Sequence, residues 1–178
     1  MTGTLVPSRS CNGCTMCCDI PEIPELNKPR MVMCPNCTVG VGCGIYDTRP
    51  QTCRAFHCSY LLHPELGEEW RPTTCKMMIA TEPPMGRIVV HVDKSHADAW
   101  RQEPYFSQIK SWAARSKLGH VLVWQGQAVV VVTRAAEIDL GPARLDQYVA
   151  VKTRNIPGGK ELYAYLMEPD DPRVKGVE

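Results

Sequence analysis

The run Cys11-Asn-Gly-Cys14-Thr-Met-Cys17-Cys18, answered further on by Cys34-Pro-Asn-Cys37 and by the stretch from Cys43 to Cys58, CGIYDTRPQTCRAFHC, decides how the chain must be read. Thiolates two residues apart in a turn can converge on one ion, and Gly13 lets the backbone fold close around it. Three such thiolates also open the bacterial ferredoxin spacing, C-x2-C-x2-C, so zinc and iron–sulfur both remain open on spacing alone. Cys17 and Cys18 are neighbours, and side chains of neighbours in an extended segment diverge. One of them is therefore expected to face a second ion or a second metal of a shared cluster. Gly40, Gly42 and Gly44 supply the backbone freedom of a tight loop around an ion. Arg49 and Arg54 are candidates to donate to the sulfurs and offset their charge, or else to form ordinary surface ion pairs. The candidate ligands are Cys11, Cys14, Cys17, Cys18, Cys34, Cys37, Cys43, Cys53 and Cys58.

All ten cysteines of the 178 residues fall between Cys11 and Cys75. Over those positions they make up about 15% of the chain, beyond the roughly 8 to 10% that marks a segment held by sulfur chemistry. The same segment has few large apolar residues and many Gly and Pro, too thin a supply for an independent core. Disulfides or metal must order it. With no apolar leader in the opening residues MTGTLVPSRS, a cytoplasmic location is expected, where thiols stay reduced and metal is the favoured answer.

This pattern resembles the YkgJ-type CxxCxxCC family of zinc- or iron-chelating cysteine-cluster proteins. The resemblance covers roughly residues 11 to 72, including LGEEWRP at 66–72. It implies Cys11, Cys14, Cys17, Cys18, Cys34, Cys43, Cys53 and Cys58 as the metal-binding set, with Tyr46, Arg49, Pro50, Arg54 and Phe56 supporting the fold. Cys37 reads as a subgroup feature, and Cys75 falls outside the motif. Eight thiolates match two tetrahedral all-cysteine zinc sites, and two zinc ions are the expected stoichiometry; an iron–sulfur cluster, with a redox or electron-transfer role, is the alternative.

After Cys75 cysteine disappears and large apolar residues rise to about a third, enough for a core of its own. Lys76 to Ala80 and Arg87 to Val92 read as strands joined through Pro83, Pro84 and Gly86. Pro104 opens a helix with Tyr105, Ile109, Trp112 and Ser116 on one face and Gly119 just beyond its end. Val121 to Trp124 and Ala128 to Val132 flank Gln125-Gly126-Gln127 as a second hairpin. Gln147 to Lys152 and Leu162 to Met167 are further strand candidates, and the closing EPDDPRVKGVE is expected to be loose. The fold class is α+β: an irregular metal-stabilised cysteine-rich lobe (1–75) followed by a small, mostly antiparallel sheet with one main helix (76–178). Trp70-Arg-Pro reads as a strap that packs one part on the other.

Lys+Arg at 20 against Asp+Glu at 19 leaves a formal charge of +1, which is no footprint for nucleic acid. The longest apolar run, Ala128 to Val132, is far below the roughly 20 residues of a membrane span. The expected partners are metal ions, with a protein partner left open and neither nucleic acid nor membrane. His57 and His63 lie near the motif and are secondary ligand candidates, whereas His91, His96 and His120 read as structural. No P-loop, GxGxxG, HExxH or GxSxG occurs, so no catalytic residue is assigned and an enzyme is not expected.

Overall fold

The computed structural model describes residues 4–11, 13–82, 84–144 and 146–174. It opens with short pieces: α1 (Met16–Asp19), a two-stranded ribbon of β1 (Cys37–Thr38) and β2 (Gly42–Cys43), α2 (Gln51–Ala55), α3 (Ser59–Leu62) and α4 (Pro72–Cys75). None of the four helices exceeds five residues, below the length at which helices hold themselves.

The remainder is built from β3 (Met77–Glu82), β4 (Arg87–Val92), α5 (Tyr105–Arg115), β5 (His120–Gln125), β6 (Ala128–Thr133), β7 (Glu137–Pro142), β8 (Tyr148–Ile156) and β9 (Gly159–Met167). Strands β3 to β7 form one sheet in chain order, antiparallel except for β4 and β5, which run parallel. A parallel pair needs a long crossover, and α5 with the turns before it provides one. The α+β class stands. The strands at both hairpins and the helix fall where the sequence places them, with ends shifted by one or two residues; Pro104 is the residue capping the helix rather than its first turn. Strand β7 carries little sequence signal: its two inward residues, Ile138 and Leu140, alternate with Glu137, Asp139 and Gly141.

Alternation along the central strands separates two cores. Met77, Ile79, Val90, Val92, Val121, Val123, Val130 and Val132 face α5, where Ile109 and Ala113 are buried. Val89, Leu122, Val129 and Val131 face the other way, onto Val149, Val151, Ala164 and Leu166 of the β8–β9 hairpin. The result is three layers: helix, five-stranded sheet, hairpin. Edge strand β3 is covered by α1, α3 and α4, so the cysteine segment shields backbone groups that an open edge would offer to another chain.

Trp70 is the strap the sequence suggests. It is buried, with its ring 5.0 Å from Tyr105 and 4.6 Å from Trp112. In the closing segment, Arg173 pairs with Asp171 and reaches the Tyr165 hydroxyl; residues 175–178 of the expected loose tail lie outside the described residues. Among the described residues no helix is long and apolar enough to cross a membrane.

Candidate metal centre

Backbone hydrogen bonds draw the cysteine stretches together. Cys14 N–H donates to the Cys11 carbonyl at 2.9 Å, closing a turn in which Gly13 adopts φ 72°. Cys34 N–H donates to the Cys18 carbonyl at 2.9 Å and ties the second stretch to the first. Cys37 and Cys43 then face each other across the β1–β2 ribbon, whose turn needs Gly40 and Gly42 at φ 80° and 127°. Cys53 rides on α2, and the backbone N–H and hydroxyl of Thr52 both donate to Glu25 Oε1 at 2.9 Å. Cys58 caps α3.

These pieces enclose a cavity of about 250 Å³ whose wall carries the thiols of Cys11, Cys14, Cys17, Cys18, Cys34, Cys43 and Cys53, with Arg9, Arg49 and His57 beside them. Cys37 and Cys58 stand outside that wall. Cys37 remains in contact through a hydrogen bond with Cys18, and Cys58 lies in the field of Cys11 and Cys14. All ten cysteines are free thiols. Among the described residues no three His, Cys, Asp or Glu side chains close on a single point as a metal ion would require; the thiols are gathered at one wall but not drawn in.

Their electrostatics divide into two neighbourhoods. Cys18, Cys34, Cys37, Cys43 and Cys53 form one, in which burial and then neighbouring sulfurs push Cys37 up to about 12 and raise Cys53. Cys11, Cys14 and Cys58 form the other; burial first, opposed by hydrogen bonds, raises all three, Cys58 to about 11. Cys18 joins the two, and Cys17 is hydrogen-bonded to Cys18. They sit in the helical turn α1 rather than in an extended segment, and their thiols share a hydrogen bond that, with burial, raises Cys18 strongly. The expected divergence of these neighbours is thus corrected: both line the same cavity, because a helical turn sets adjacent side chains about 100° apart instead of on opposite faces.

The two arginines part company. Arg49 lies 3.9 Å over the Tyr46 ring and its charge favours the Cys11 thiolate, to which Tyr46 also hydrogen-bonds. Arg54 instead donates to the carbonyls of Arg49 and Asp47 at 2.8 and 2.9 Å, so it shapes the loop and does not face sulfur. His57 lines the cavity; His63 turns away and pairs with Glu65 at 3.1 Å. Cys75 is 1% exposed in the core against the sheet, with its thiol directed to the carbonyls of Met77 at 3.2 Å and Trp70 at 3.5 Å.

Two supporting cations were missed in the sequence. Lys28 is only 3% exposed, its ammonium donating to the carbonyls of Asp19, Pro21 and Pro29 at 2.9, 2.5 and 3.1 Å. Burial lowers its pKa, but Asp19 and the sulfurs of Cys34, Cys18 and Cys53 favour its charge. Arg9 donates to the carbonyls of Tyr60, His63 and Leu66 while stacking 4.3 Å over Tyr60, which fastens the start of the described chain to the end of the cysteine segment. A lysine at a Pro-rich turn and an arginine before the first cysteine read as surface charges until the fold folds carbonyls around them.

Comparison with known proteins returns no matching family model, no matching curated protein and no matching solved structure.

Proposed function

We propose that this chain is a metal-binding cysteine-cluster protein of the YkgJ type, in which Cys11, Cys14, Cys17, Cys18, Cys34, Cys43, Cys53 and Cys58 hold metal and the sheet domain supports them. The observation that carries this reading is the meeting of seven thiols from four separate turns on one cavity, with two cations, Lys28 and Arg49, placed to offset thiolate charge. The donor set suits a soft or borderline metal: it is all-sulfur, and thiols release their protons as metal binds. Two sulfur neighbourhoods joined through Cys18 favour two zinc ions, each taking four thiolates. Their sharing of one cavity favours the second reading, an iron–sulfur cluster with a redox role.

Purification without air, followed by metal analysis and a visible spectrum, tests both. The expected result is a colourless protein with two zinc ions per chain. Broad visible absorption with iron and labile sulfide would select the second reading, and a reduced chain that holds neither metal at neutral pH would overturn the proposal.

A further inference from the structure

Cys37 is the motif cysteine that the eight-thiolate set leaves over, and it stands directly opposite Cys43 in the β1–β2 ribbon. The pair is of the non-hydrogen-bonded kind. Gly44 N–H donates to the Asn36 carbonyl at 2.7 Å, one step outside the pair, and Cys37 N–H turns away to the Cys34 carbonyl at 3.0 Å. In such pairs the Cα atoms lie about 4.5 Å apart, with both side chains on one face. A disulfide spans Cα atoms roughly 4.4 to 6.8 Å apart, so the ribbon already sets these two residues at a spacing a bridge can close. The strands are drawn tight here, since a Cβ on Gly44 would stand 3.3 Å from the Asn36 oxygen.

Both residues are free thiols and partly exposed, unlike the buried Cys34 and Cys75. Cys43 opens on the cavity, whereas Cys37 stands outside its wall. Two other pairings compete. Cys17 and Cys18 are neighbours in the chain, and Cα atoms about 3.8 Å apart across a trans peptide fall below the disulfide range. Cys18 also shares a hydrogen bond with Cys37, but its backbone is fixed in α1 and by the Cys34 N–H on its carbonyl. Moving it toward Cys37 would disturb the turns around it. The β1–β2 ribbon pairs only with itself and ends in a turn where Val39 and Val41 are 70% and 75% exposed, so it can tighten without displacing anything else.

We propose that Cys37 is a resolving thiol for Cys43: a hydroperoxide oxidises Cys43, and Cys37 traps it as a cross-strand disulfide that takes one thiolate away from the cavity. In the first step the Cys43 thiolate attacks a peroxide oxygen, the O–O bond breaks, and the departing hydroxide takes up a proton as water. Cys43 is left as a sulfenic acid. The Cys37 sulfur then attacks the Cys43 sulfur, the S–O bond breaks, the S–S bond forms, and the Cys37 proton leaves with the hydroxyl as a second water. Two electrons from two sulfurs reduce one hydrogen peroxide to two waters. A dithiol reductant reverses the bridge by exchange. The bridge itself rests on the ribbon alone, while its effect on metal rests on the ligand set proposed above. With Cys43 bridged, one group of four thiolates is reduced to three, and its metal is held less tightly.

The test treats the full chain, reduced and loaded with zinc in the absence of air, with one equivalent of hydrogen peroxide. Remaining thiols are alkylated, the bridge is mapped by mass spectrometry, and a chromogenic chelator reads released zinc. The expected result is a Cys37–Cys43 bridge formed in step with zinc release, both reversed by dithiothreitol. Cys37→Ser should hold as much zinc as the unaltered chain while reduced, yet under peroxide carry Cys43 on to the sulfinic acid, so that its zinc is not taken back after dithiothreitol. Should that variant fail to fold, the bridge map of the unaltered chain decides alone. A bridge from Cys37 to Cys18, no bridge at Cys37, or zinc loss in reduced Cys37→Ser would each overturn the assignment. A chain that takes up no zinc but still forms the Cys37–Cys43 bridge would sink the metal reading and leave the resolving thiol standing.

Discussion

Two cysteines of the same chemistry divide sharply by position. Cys17 lines the cavity and is hydrogen-bonded to Cys18, whereas Cys75 is sealed in the core beneath the sheet. If the metal reading holds, Cys17→Ser lowers metal per chain and loosens the surrounding turns, because serine cannot supply a soft thiolate. Cys75→Ser should leave metal content unchanged and cost about 1 to 3 kcal/mol, since a buried thiol serves as a small apolar residue and the hydroxyl gains only the existing carbonyls. Metal analysis on both variants, prepared alike, decides between them; equal losses would undo the ligand assignment. His91 carries a second prediction at this scale. It sits on the sheet between Met78 and Trp124, and burial, with the Arg30 charge adding to it, lowers its pKa to about 4. A depressed histidine contributes stability that is complete above its unfolded pKa of about 6.5 and is lost as pH falls through 4. The contribution is roughly 3 kcal/mol, so urea midpoints should drop between pH 6.5 and 4, and His91→Gln should remove much of that drop.

The helix and both hairpins could be read from local pattern because their signals are short-range: Pro104 and Gly119 bracketing α5, and Gly126 at φ 62° turning β5 into β6. What escaped was non-local. The parallel pairing of β4 and β5 depends on where α5 delivers the chain, and β7 carries only Ile138 and Leu140 to mark its inner face. In the cysteine segment the motif spacing was legible, yet the helical turn at Cys17 and Cys18 was not, nor were Lys28 and Arg9, whose roles come from carbonyls brought by distant turns. Trp70 was legible as a packing element for a physical reason: a large aromatic in a proline-flanked strap has nowhere to go but a core. Trp70→Ala should therefore cost about 3 to 5 kcal/mol in denaturant unfolding, through the emptied space against Tyr105 and Trp112. Val41→Ser, at the 75% exposed tip of the β1–β2 turn, should cost next to nothing; comparable losses for the two would show that the strap does not couple the segments.

Across the whole molecule, hydrophobic burial is divided unevenly. Among the described residues up to Cys58, the buried apolar side chains are Ile20, Ile23 and Cys34, while the sheet is packed on both faces. The sheet and its two covering layers have extensive burial to stand on; the first turns have little. Structural zinc contributes about 10 to 16 kcal/mol in small sites, comparable to the entire stability of about 5 to 15 kcal/mol expected of a domain. If the chain holds metal as proposed, its removal should therefore act locally. The boundary of the loosened region should be set by Leu66 and Trp70, which belong to the core against the sheet, and not by the last cysteine of the motif. Hydrogen exchange on protein stripped by a strong chelator under reducing conditions should show lost protection at the amides of Cys14, Cys34 and Cys37. Those of Val90, Val123 and Val131, inside the sheet ladder, should keep theirs. Full retention at the three cysteines would mean that the turns hold without metal, and loss at the valines would mean that the cysteine segment and the sheet fold as one cooperative unit.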